Sequence, residues 1–184
     1  MKNNIILLIT LGIILSPHTI KAREFFVPKE ITCKNNLCYF ASSNTLFSGT
    51  LNTYDENGKL YSSTQYQNGI KHGFQKHFYD EGNIKSQKYY LNGTTNGYTR
   101  SYYPSGINKE ELEYKNGIKN GYHRKFFEDG TLQEEHYYQN SKKEGRSRYF
   151  NEDKRITKEI LYQDGTPTTT YCFSKKRNKT ICKN

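Results

Sequence analysis

Two histidines come closest to a site where residue types and spacing could do chemistry. His123 and His136 lie in one stretch of sequence that is predicted below to form a hairpin, where they would face each other across two strands. A shared metal ion would need a third ligand, and the sequence identifies none near this pair. We therefore expect neither a metal site nor a cofactor.

The sequence motifs of common enzyme active sites are missing. The chain has no strand-linked GxSxG, no GxGxxG, no phosphate loop and no HExxH. No nucleophile has an adjacent base to activate it. The geometry of turns already explains the aspartates of the predicted turns, which are Asp55, Asp80, Asp129 and Asp153. The sequence thus predicts a protein that is not an enzyme.

The chain has four cysteines, two before and two after a repeated region: Cys33, Cys38, Cys172 and Cys182. An even number of cysteines in an oxidising compartment predicts disulfides. Three connectivities are possible, and we expect the local one, Cys33–Cys38 with Cys172–Cys182, because it needs no assumption about how the ends of the molecule meet. Zinc is the alternative, but neither pair has the close spacing of a zinc knuckle and no nearby pair of histidines completes the ligands.

Glycine recurs in three columns with a period of 24 residues. The first column is Gly49, Gly73, Gly97, Gly121 and Gly145. Nine positions later come Gly58, Gly82, Gly106, Gly130 and then Lys154. Twenty positions after each first glycine come Gly69, Gly93, Gly117, Ser141 and Gly165. No insertion or deletion interrupts the register, so the sequence predicts five tandem repeats.

Other columns indicate the structure of one repeat. Position five after the glycine is aromatic, in Tyr54, Phe78, Tyr102, Phe126 and Phe150. Position eleven is aliphatic in four of five repeats, in Leu60, Ile84, Asn108, Leu132 and Ile156. Position seventeen is always tyrosine, in Tyr66, Tyr90, Tyr114, Tyr138 and Tyr162. Aromatic-rich runs bounded by glycine turns predict strands, and the Asn-Gly and Asp-Gly turns are typical of hairpins.

The predicted fold is all-β: an elongated antiparallel meander of five 24-residue β-hairpin repeats with short disulfide-closed caps. One hairpin is marginal in water, so the units must lie side by side. We expect the columns at positions five, eleven and seventeen to form a continuous core. The predicted division is a signal peptide at residues 1–22, an N-terminal cap at 23–46, the repeats at 47–168 and a basic C-terminal cap at 169–184.

Charged residues also form columns. Position three is basic, in Lys76, Arg100, Arg124 and Arg148. Folding each hairpin about its first turn brings these residues opposite acidic positions, which are Glu110 with Glu111, Glu134 with Glu135, and Glu159 beside Lys158. Such cross-strand pairs contribute about 0.2–1 kcal/mol each. Two adjacent registers both place a glutamate near each arginine, so the choice of glutamate stays open.

Position six is aromatic only in the middle repeats, in Tyr79, Tyr103 and Phe127, whereas the outer repeats have Asp55 and Asn151. Outer repeats of an array are usually more polar because they face water. The alternative is that the three rings form a surface patch for a partner. We treat Tyr79, Tyr103 and Phe127, together with the basic column at position three, as candidate binding residues.

The first 22 residues resemble a secretory signal peptide. Lys2 precedes an eleven-residue apolar run, Ile5 to Leu15, which is too short to span a bilayer, and Ala22 offers a cleavage point. We therefore expect an exported protein that is periplasmic, attached to the cell surface or secreted. Without this segment the formal net charge falls from +10 to +8, and a basic surface attracts acidic partners.

The repeat resembles the MORN-variant repeat of bacteria, whose members are often labelled YwqK-like antitoxins. The resemblance covers about residues 47 to 168 and is carried by GFQKHFYDEGNIKSQKYYLNGTTN, GYTRSYYPSGINKEELEYKNGIKN and GYHRKFFEDGTLQEEHYYQNSKKE. It implies an elongated β-sheet used in protein contacts. The label implies neutralisation of a toxin; with a signal peptide, a periplasmic immunity role or a cell-surface role fits better. Eukaryotic relatives are linked with membrane lipids.

Three functions follow as hypotheses. The leading one is an exported, non-enzymatic protein–protein interaction module. The alternative is a basic sheet that binds anionic lipid or another polyanion, with no specific nucleic acid expected. The third is an enzyme with an unrecognised site, which a cleft with convergent polar groups would support.

Overall fold

The computed structural model describes residues 30–174 and 179–182, and within these ranges the regular structure is entirely β. No helix of this part of the chain has the length and apolar character needed to cross a membrane. The strands are β1 Ile31–Lys34, β2 Leu37–Phe40, β3 Gly49–Tyr54, β4 Leu60–Gln67, β5 Ile70–Phe78, β6 Ile84–Leu91, β7 Thr94–Tyr102, β8 Asn108–Lys115, β9 Ile118–Phe126, β10 Leu132–Gln139, β11 Lys142–Lys143, β12 Gly145–Phe150, β13 Ile156–Gln163, β14 Thr166–Phe173 and β15 Lys179–Ile181.

One antiparallel sheet contains every strand from β3 to β15, with neighbours in sequence order. Strands β11 and β12 both pair with β10 and replace the single nine-residue strand that β5, β7 and β9 form in the middle of the sheet. The remaining strands, β1 and β2, form a separate two-stranded hairpin. This topology confirms the predicted meander of hairpin repeats.

The two turns of each repeat are set by residues with positive φ. At the two-residue turn between β4 and β5, Asn68 has a φ of 50° and Gly69 a φ of 77°, which are the values of a type I′ hairpin turn. The equivalent turns also have two positive φ values, including Asn140 with Ser141 and Asp164 with Gly165. The predicted turn chemistry is therefore confirmed.

A β-bulge recurs after the first turn of the repeats. In the second repeat Phe78 pairs with Ile84 and His77 pairs with Ser86, so that Lys85 is the additional residue. A bulge shifts the register by one residue and changes which side chains share a face. Its position therefore decides which residues meet across the sheet.

The prediction of a continuous core from three columns is wrong. Side chains alternate between faces along a strand, and Gly73 pairs with Tyr90. Position seventeen therefore shares the face of the repeat glycine, whereas position five, as in Phe78, lies on the opposite face with its partner Ile84. The described members of all three columns are half-buried or exposed. Within the described ranges, the repeats form a single-layer sheet on which no second layer packs.

The densest packing lies at the N-terminal end. Cys38, Phe47 and Leu51 form a buried cluster. Cys38 N donates to Gly69 O of the first Asn-Gly turn at 2.8 Å, and Gly69 N donates to Phe47 O at 2.7 Å. The β1–β2 hairpin is thereby fixed to the sheet.

Disulfides join Cys33 to Cys38 and Cys172 to Cys182, which confirms the predicted local pairing. The first links β1 to β2, and the second links β14 to the residue that follows β15. The predicted signal peptide, residues 1–22, lies outside the described residues, and the predicted boundaries of the caps stay predictions.

Candidate binding faces

The two faces of the sheet differ in chemistry. In β5, Phe74 and Lys76 lie on one face, and Gln75 and His77 lie on the other, because adjacent residues of a strand alternate. The cross-strand register carries each position into a row that runs across the repeats. We call the face of positions one and three the aromatic face, and the face of positions two and four the lysine face.

A ladder of alternating charge crosses the aromatic face. Glu111 lies between two arginines, 3.3 Å from Arg100 (Nε to Oε2) and 3.3 Å from Arg124 (Nη1 to Oε1). Glu135 lies between Arg124, whose Nε donates to Oε2 at 2.8 Å, and Arg148 at 3.4 Å. Each of these two carboxylates therefore contacts arginines of two successive repeats. The sequence predicted that the basic column pairs with glutamates across the strands.

The ladder ends at Glu159, whose side chain is 6% exposed. It lies 3.6 Å from Arg148 Nε, 3.9 Å from Arg146 Nη1 and 3.0 Å from Lys179 Nζ. Burial raises the pKa of Glu159, but the hydrogen bond from Lys179 and the three positive charges outweigh it and hold that pKa below its usual range. Charge pairing thus extends to the C-terminal end of the sheet.

The register settles which glutamates face the arginines. Glu111 and Glu135 pair with Arg124 in the sheet, whereas Glu110 and Glu134 lie on the lysine face. There Glu110 Oε1 lies 2.6 Å from His123 Nε2, and Glu134 Oε2 lies 3.2 Å from His136 Nε2.

A row of rings lies beside the ladder on the same face. Phe74 is 43% exposed, Tyr98 37%, Tyr122 41% and Tyr137 36%, with Tyr89 between the first two. Phe74 packs edge-on against Tyr89 and Tyr122 against Tyr137, with centroids 5.2 and 5.3 Å apart. These five residues are called the aromatic row; Tyr89 is half-buried, and Glu113 occupies the equivalent position on β8.

Arginines of the ladder stack on this row. The guanidinium carbon of Arg100 lies 4.8 Å from the centroid of the Tyr98 ring, and that of Arg124 lies 4.4 Å from the Tyr122 ring. The sequence prediction missed this row. The pattern that could have found it is the ring directly after the repeat glycine in the three middle repeats, at Phe74, Tyr98 and Tyr122.

The lysine face has a large excess of positive charge. Among the described residues, the glutamates on this face are Glu110 and Glu134 alone. Its lysines are Lys71, Lys85, Lys88, Lys109, Lys119, Lys125, Lys143 and Lys158. Within the described ranges Lys125 alone among them has a carboxylate within 4 Å, that of Glu134 at 3.4 Å.

Crowding of like charges perturbs this face. Burial lowers the pKa of Lys71, and the charge of Lys88 lowers it further. Burial likewise lowers the pKa of Lys143, against the attraction of Glu134 and with added repulsion from neighbouring lysines. Several ammonium groups lie over tyrosine rings, such as Lys71 over Tyr90 at 5.1 Å. Aromatic rings therefore take the place of most missing carboxylates.

The candidate residues from the sequence are not brought together. The basic column lies on the aromatic face, whereas the position-six rings lie where the first turns begin. Tyr79 and Tyr103 are half-buried and donate their hydroxyls to backbone oxygens of the next repeat, Tyr102 O at 2.7 Å and Phe126 O at 2.8 Å. Phe127 is also half-buried. A role of these rings in binding stays a prediction.

His123 and His136 face each other across β9 and β10, with ring centroids 5.6 Å apart. Each Nδ1 is buried without a hydrogen-bond partner among the described residues. Burial lowers the pKa of His136, although the hydrogen bond to Glu134 opposes this. In the described ranges no three or more His, Cys, Asp or Glu side chains are grouped so as to hold a metal ion.

Comparison with known proteins gives one result for the repeats. A family model described as MORN repeat variant matches residues 48–68, 71–92, 95–116 and 119–140. A search of curated proteins found no match. The matched segments correspond to the hairpins from β3 to β10, and the strand pattern continues through β13.

Proposed function

Because the chain belongs to the MORN repeat variant family, we propose that it is an exported, non-enzymatic module that binds another protein through the aromatic face. MORN repeats are in general modules that bind proteins or lipids. The observation that carries the proposal is the exposed aromatic row with stacked arginines. Aromatic and arginine side chains contribute most of the energy of protein interfaces.

The arrangement of the row also favours binding. Tyr122 is held between the guanidinium group of Arg124 and the edge of Tyr137, and Arg124 is itself held by Glu111 and Glu135. Side chains that are already ordered lose little conformational entropy when a partner binds. A partner would therefore meet a preorganised surface.

The two disulfides indicate an oxidising compartment, and this supports export to the periplasm, the cell surface or the medium. An immunity role, in which the partner is a toxin, is one version of the proposal. The proposal assigns no catalytic residue.

The test is affinity capture with the purified protein as bait, followed by affinity measurements with the captured partner. Replacing both Tyr98 and Tyr122 with Ser should weaken binding at least tenfold, since interface rings contribute about 2 kcal/mol or more each when they are hot spots. The comparator is Tyr79→Ser with Tyr103→Ser and Phe127→Ser. If the Tyr98→Ser and Tyr122→Ser variant keeps its affinity while the folded comparator loses it, the binding site lies at the first turns and not on the aromatic row.

A second candidate function rests on the lysine face, where eight lysines lie with two glutamates. Such a surface suits an anionic membrane or another polyanion. Vesicles containing anionic phospholipid should bind the protein, neutral vesicles should not, and binding should weaken steeply with salt. The variant Lys88→Gln with Lys143→Gln should reduce it, while Tyr98→Ser with Tyr122→Ser should not. Salt-independent binding, or equal binding to both vesicles, would remove this candidate.

A further inference from the structure

In the charge ladder, two residues at equal distances on either side of the centre have opposite charges. Successive strands from β7 to β13 contribute Arg100, Glu111, Arg124, Glu135, Arg148 and Glu159. The centre of this series lies between β9 and β10. A second ladder that runs the opposite way about this centre therefore places a carboxylate opposite every guanidinium group.

A two-fold axis produces this reversal. If the axis runs parallel to the strands between β9 and β10, β9 lies over β10 of a second copy, β8 over β12 and β7 over β13. Residues keep their position along the strands under this rotation, so the ladder of one copy lies opposite the ladder of the other. Arg124 then faces Glu135 of the second copy, and the two outer strand pairs match in the same way.

The neighbouring row is also complementary about the same axis. Its members lie two positions along the strands from the ladder residues, and they pair directly in three strand pairs: Tyr98 with Glu113, Tyr122 with Tyr137, and Arg146 with Leu161. Tyr122 then faces Tyr137 of the second copy, and Tyr98 faces Leu161. The charged members of the row, Glu113 and Arg146, face each other.

We infer that the partner of the aromatic face is a second copy of this chain, in a two-fold dimer whose axis lies between β9 and β10. This inference rests on the proposed function, since it assumes that the aromatic face binds protein. The lysine face does not serve this purpose, because its unpaired lysines would repel those of another copy. The two faces therefore have different roles: the aromatic face pairs and the lysine face stays open.

The position of the axis follows from the row rather than from the ladder. Moving the axis by one strand, to between β8 and β9, still pairs Arg124 with a carboxylate, that of Glu111. It places Glu113 against Tyr122 of the second copy, and Arg146 against Tyr89, so that neither charge meets its opposite. The axis between β9 and β10 is the one that satisfies both rows.

The face is large enough for such a dimer. The eight overlapping strands from β6 to β14, at about 4.8 Å each, span roughly 40 Å, and five residues of each strand span about 16 Å. The product, about 650 Å², approaches the roughly 800 Å² per partner of a standard interface. Two sheets also pack face to face at about 10 Å with their strands nearly aligned.

Sedimentation equilibrium of the purified protein tests the inference. The wild type should have twice the mass of one chain at concentrations of tens of micromolar. Tyr122→Lys should shift the protein to monomer, since Tyr122 lies beside the axis and the substitution enters the interface twice. Tyr54→Lys is the matched control, because Tyr54 has a similar exposure on the same face but lies on β3, beyond the strands that overlap in the dimer. It should leave the dimer in place.

Circular dichroism establishes that the variants are folded, and Tyr137→Lys, on the other side of the axis, should repeat the effect if Tyr122→Lys does not fold. A wild type that is monomeric at 100 µM, or a dimer that Tyr122→Lys leaves unchanged, would overturn the inference. The wild type could be monomeric while the double variant Tyr98→Ser with Tyr122→Ser still loses binding of a captured protein. That result would overturn the dimer alone and leave the proposed function standing.

Discussion

The first turns of the five repeats place one residue each in the left-handed backbone region, and in four of them it is glycine. In the fifth it is Lys154, with a φ of 61°. A side chain in this conformation costs about 1–2 kcal/mol, whereas glycine adopts it freely. The fifth turn is therefore the strained one.

Lys154→Gly should stabilise the protein by about 0.5–1 kcal/mol, because the relieved strain exceeds the entropy that glycine adds to the unfolded chain. Thermal unfolding followed by circular dichroism measures this as a rise of roughly 1–4 °C. The matched control is Gly130→Ala, whose new Cβ would meet Ile107 only at 3.6 Å, so that backbone strain at φ 82° is its cost. That control should lower the melting temperature; a fall for Lys154→Gly would contradict the argument.

His136 gives the stability a dependence on pH. Burial lowers its pKa from the usual 6.5, so the unfolded chain binds the proton more tightly than the folded one. Stability is then full above pH 6.5 and falls as the pH drops towards the folded-state pKa. Urea unfolding at pH 8 and pH 5 should show this decrease, and it should be smaller for His136→Gln. Equal decreases in the two proteins would exclude His136 as the cause.

At the residue scale the sequence predicted what depends on local chemistry. The Asn-Gly turns and the left-handed glycines follow from conformational preferences of single residues, and the structure confirms them. The exposure of Tyr98 and Tyr122 did not follow, because it depends on which face of the sheet each residue occupies. That assignment requires the register.

The element that joins neighbouring repeats is the cross-strand charge ladder. Glu135 accepts from Arg124 at 2.8 Å and lies 3.4 Å from Arg148, with its side chain 17% exposed. Since its neighbours are on β9 and β12, one carboxylate stabilises two strand interfaces. This arrangement compensates in part for the small buried core.

Glu135→Gln should destabilise the sheet by roughly 0.5–2 kcal/mol, the sum of two cross-strand ion pairs. Glu128→Gln, in an exposed turn, is the control and should change the stability by less than about 0.5 kcal/mol. Both are measured by urea unfolding. Part of the difference should disappear at 1 M salt, because the side chains of Arg124 and Arg148 are 29% and 36% exposed and so are partly screened; a difference that does not change at all would argue against an ionic origin.

At the element scale the sequence predicted strands and hairpins but not their register. Two registers placed a glutamate near each arginine, and the bulge at positions such as Lys85 selects the one that uses Glu111 and Glu135. The same period-two alternation explains the error in the predicted core. Positions five and seventeen differ by an even number, but they lie on different strands, so their faces depend on pairing.

At the scale of the whole molecule, stability comes from contacts between adjacent strands. The principal contacts join strands that are neighbours in the sheet, and the buried apolar cluster is confined to the N-terminal end. Such an array behaves as a one-dimensional series of units with nearest-neighbour interfaces. The number of units should then be adjustable, provided that each unit stays whole.

The sequence anticipated this architecture because three glycine columns share one period. It did not anticipate the separation of charge between faces, since alternating residues are mixed along the chain and become sorted only by the sheet. The aromatic face and the lysine face are therefore properties of the assembled array.

The most direct test of the account is the removal of residues 97–120, one complete repeat. The shortened protein joins Asn96 to Gly121 and should keep its circular dichroism per residue and a single cooperative thermal transition. Removal of residues 97–108 deletes one strand and breaks the alternation of strand direction, so that variant should not fold. Loss of the β spectrum in the 24-residue deletion, or equal tolerance of both deletions, would contradict a sheet built from two-stranded units of 24 residues.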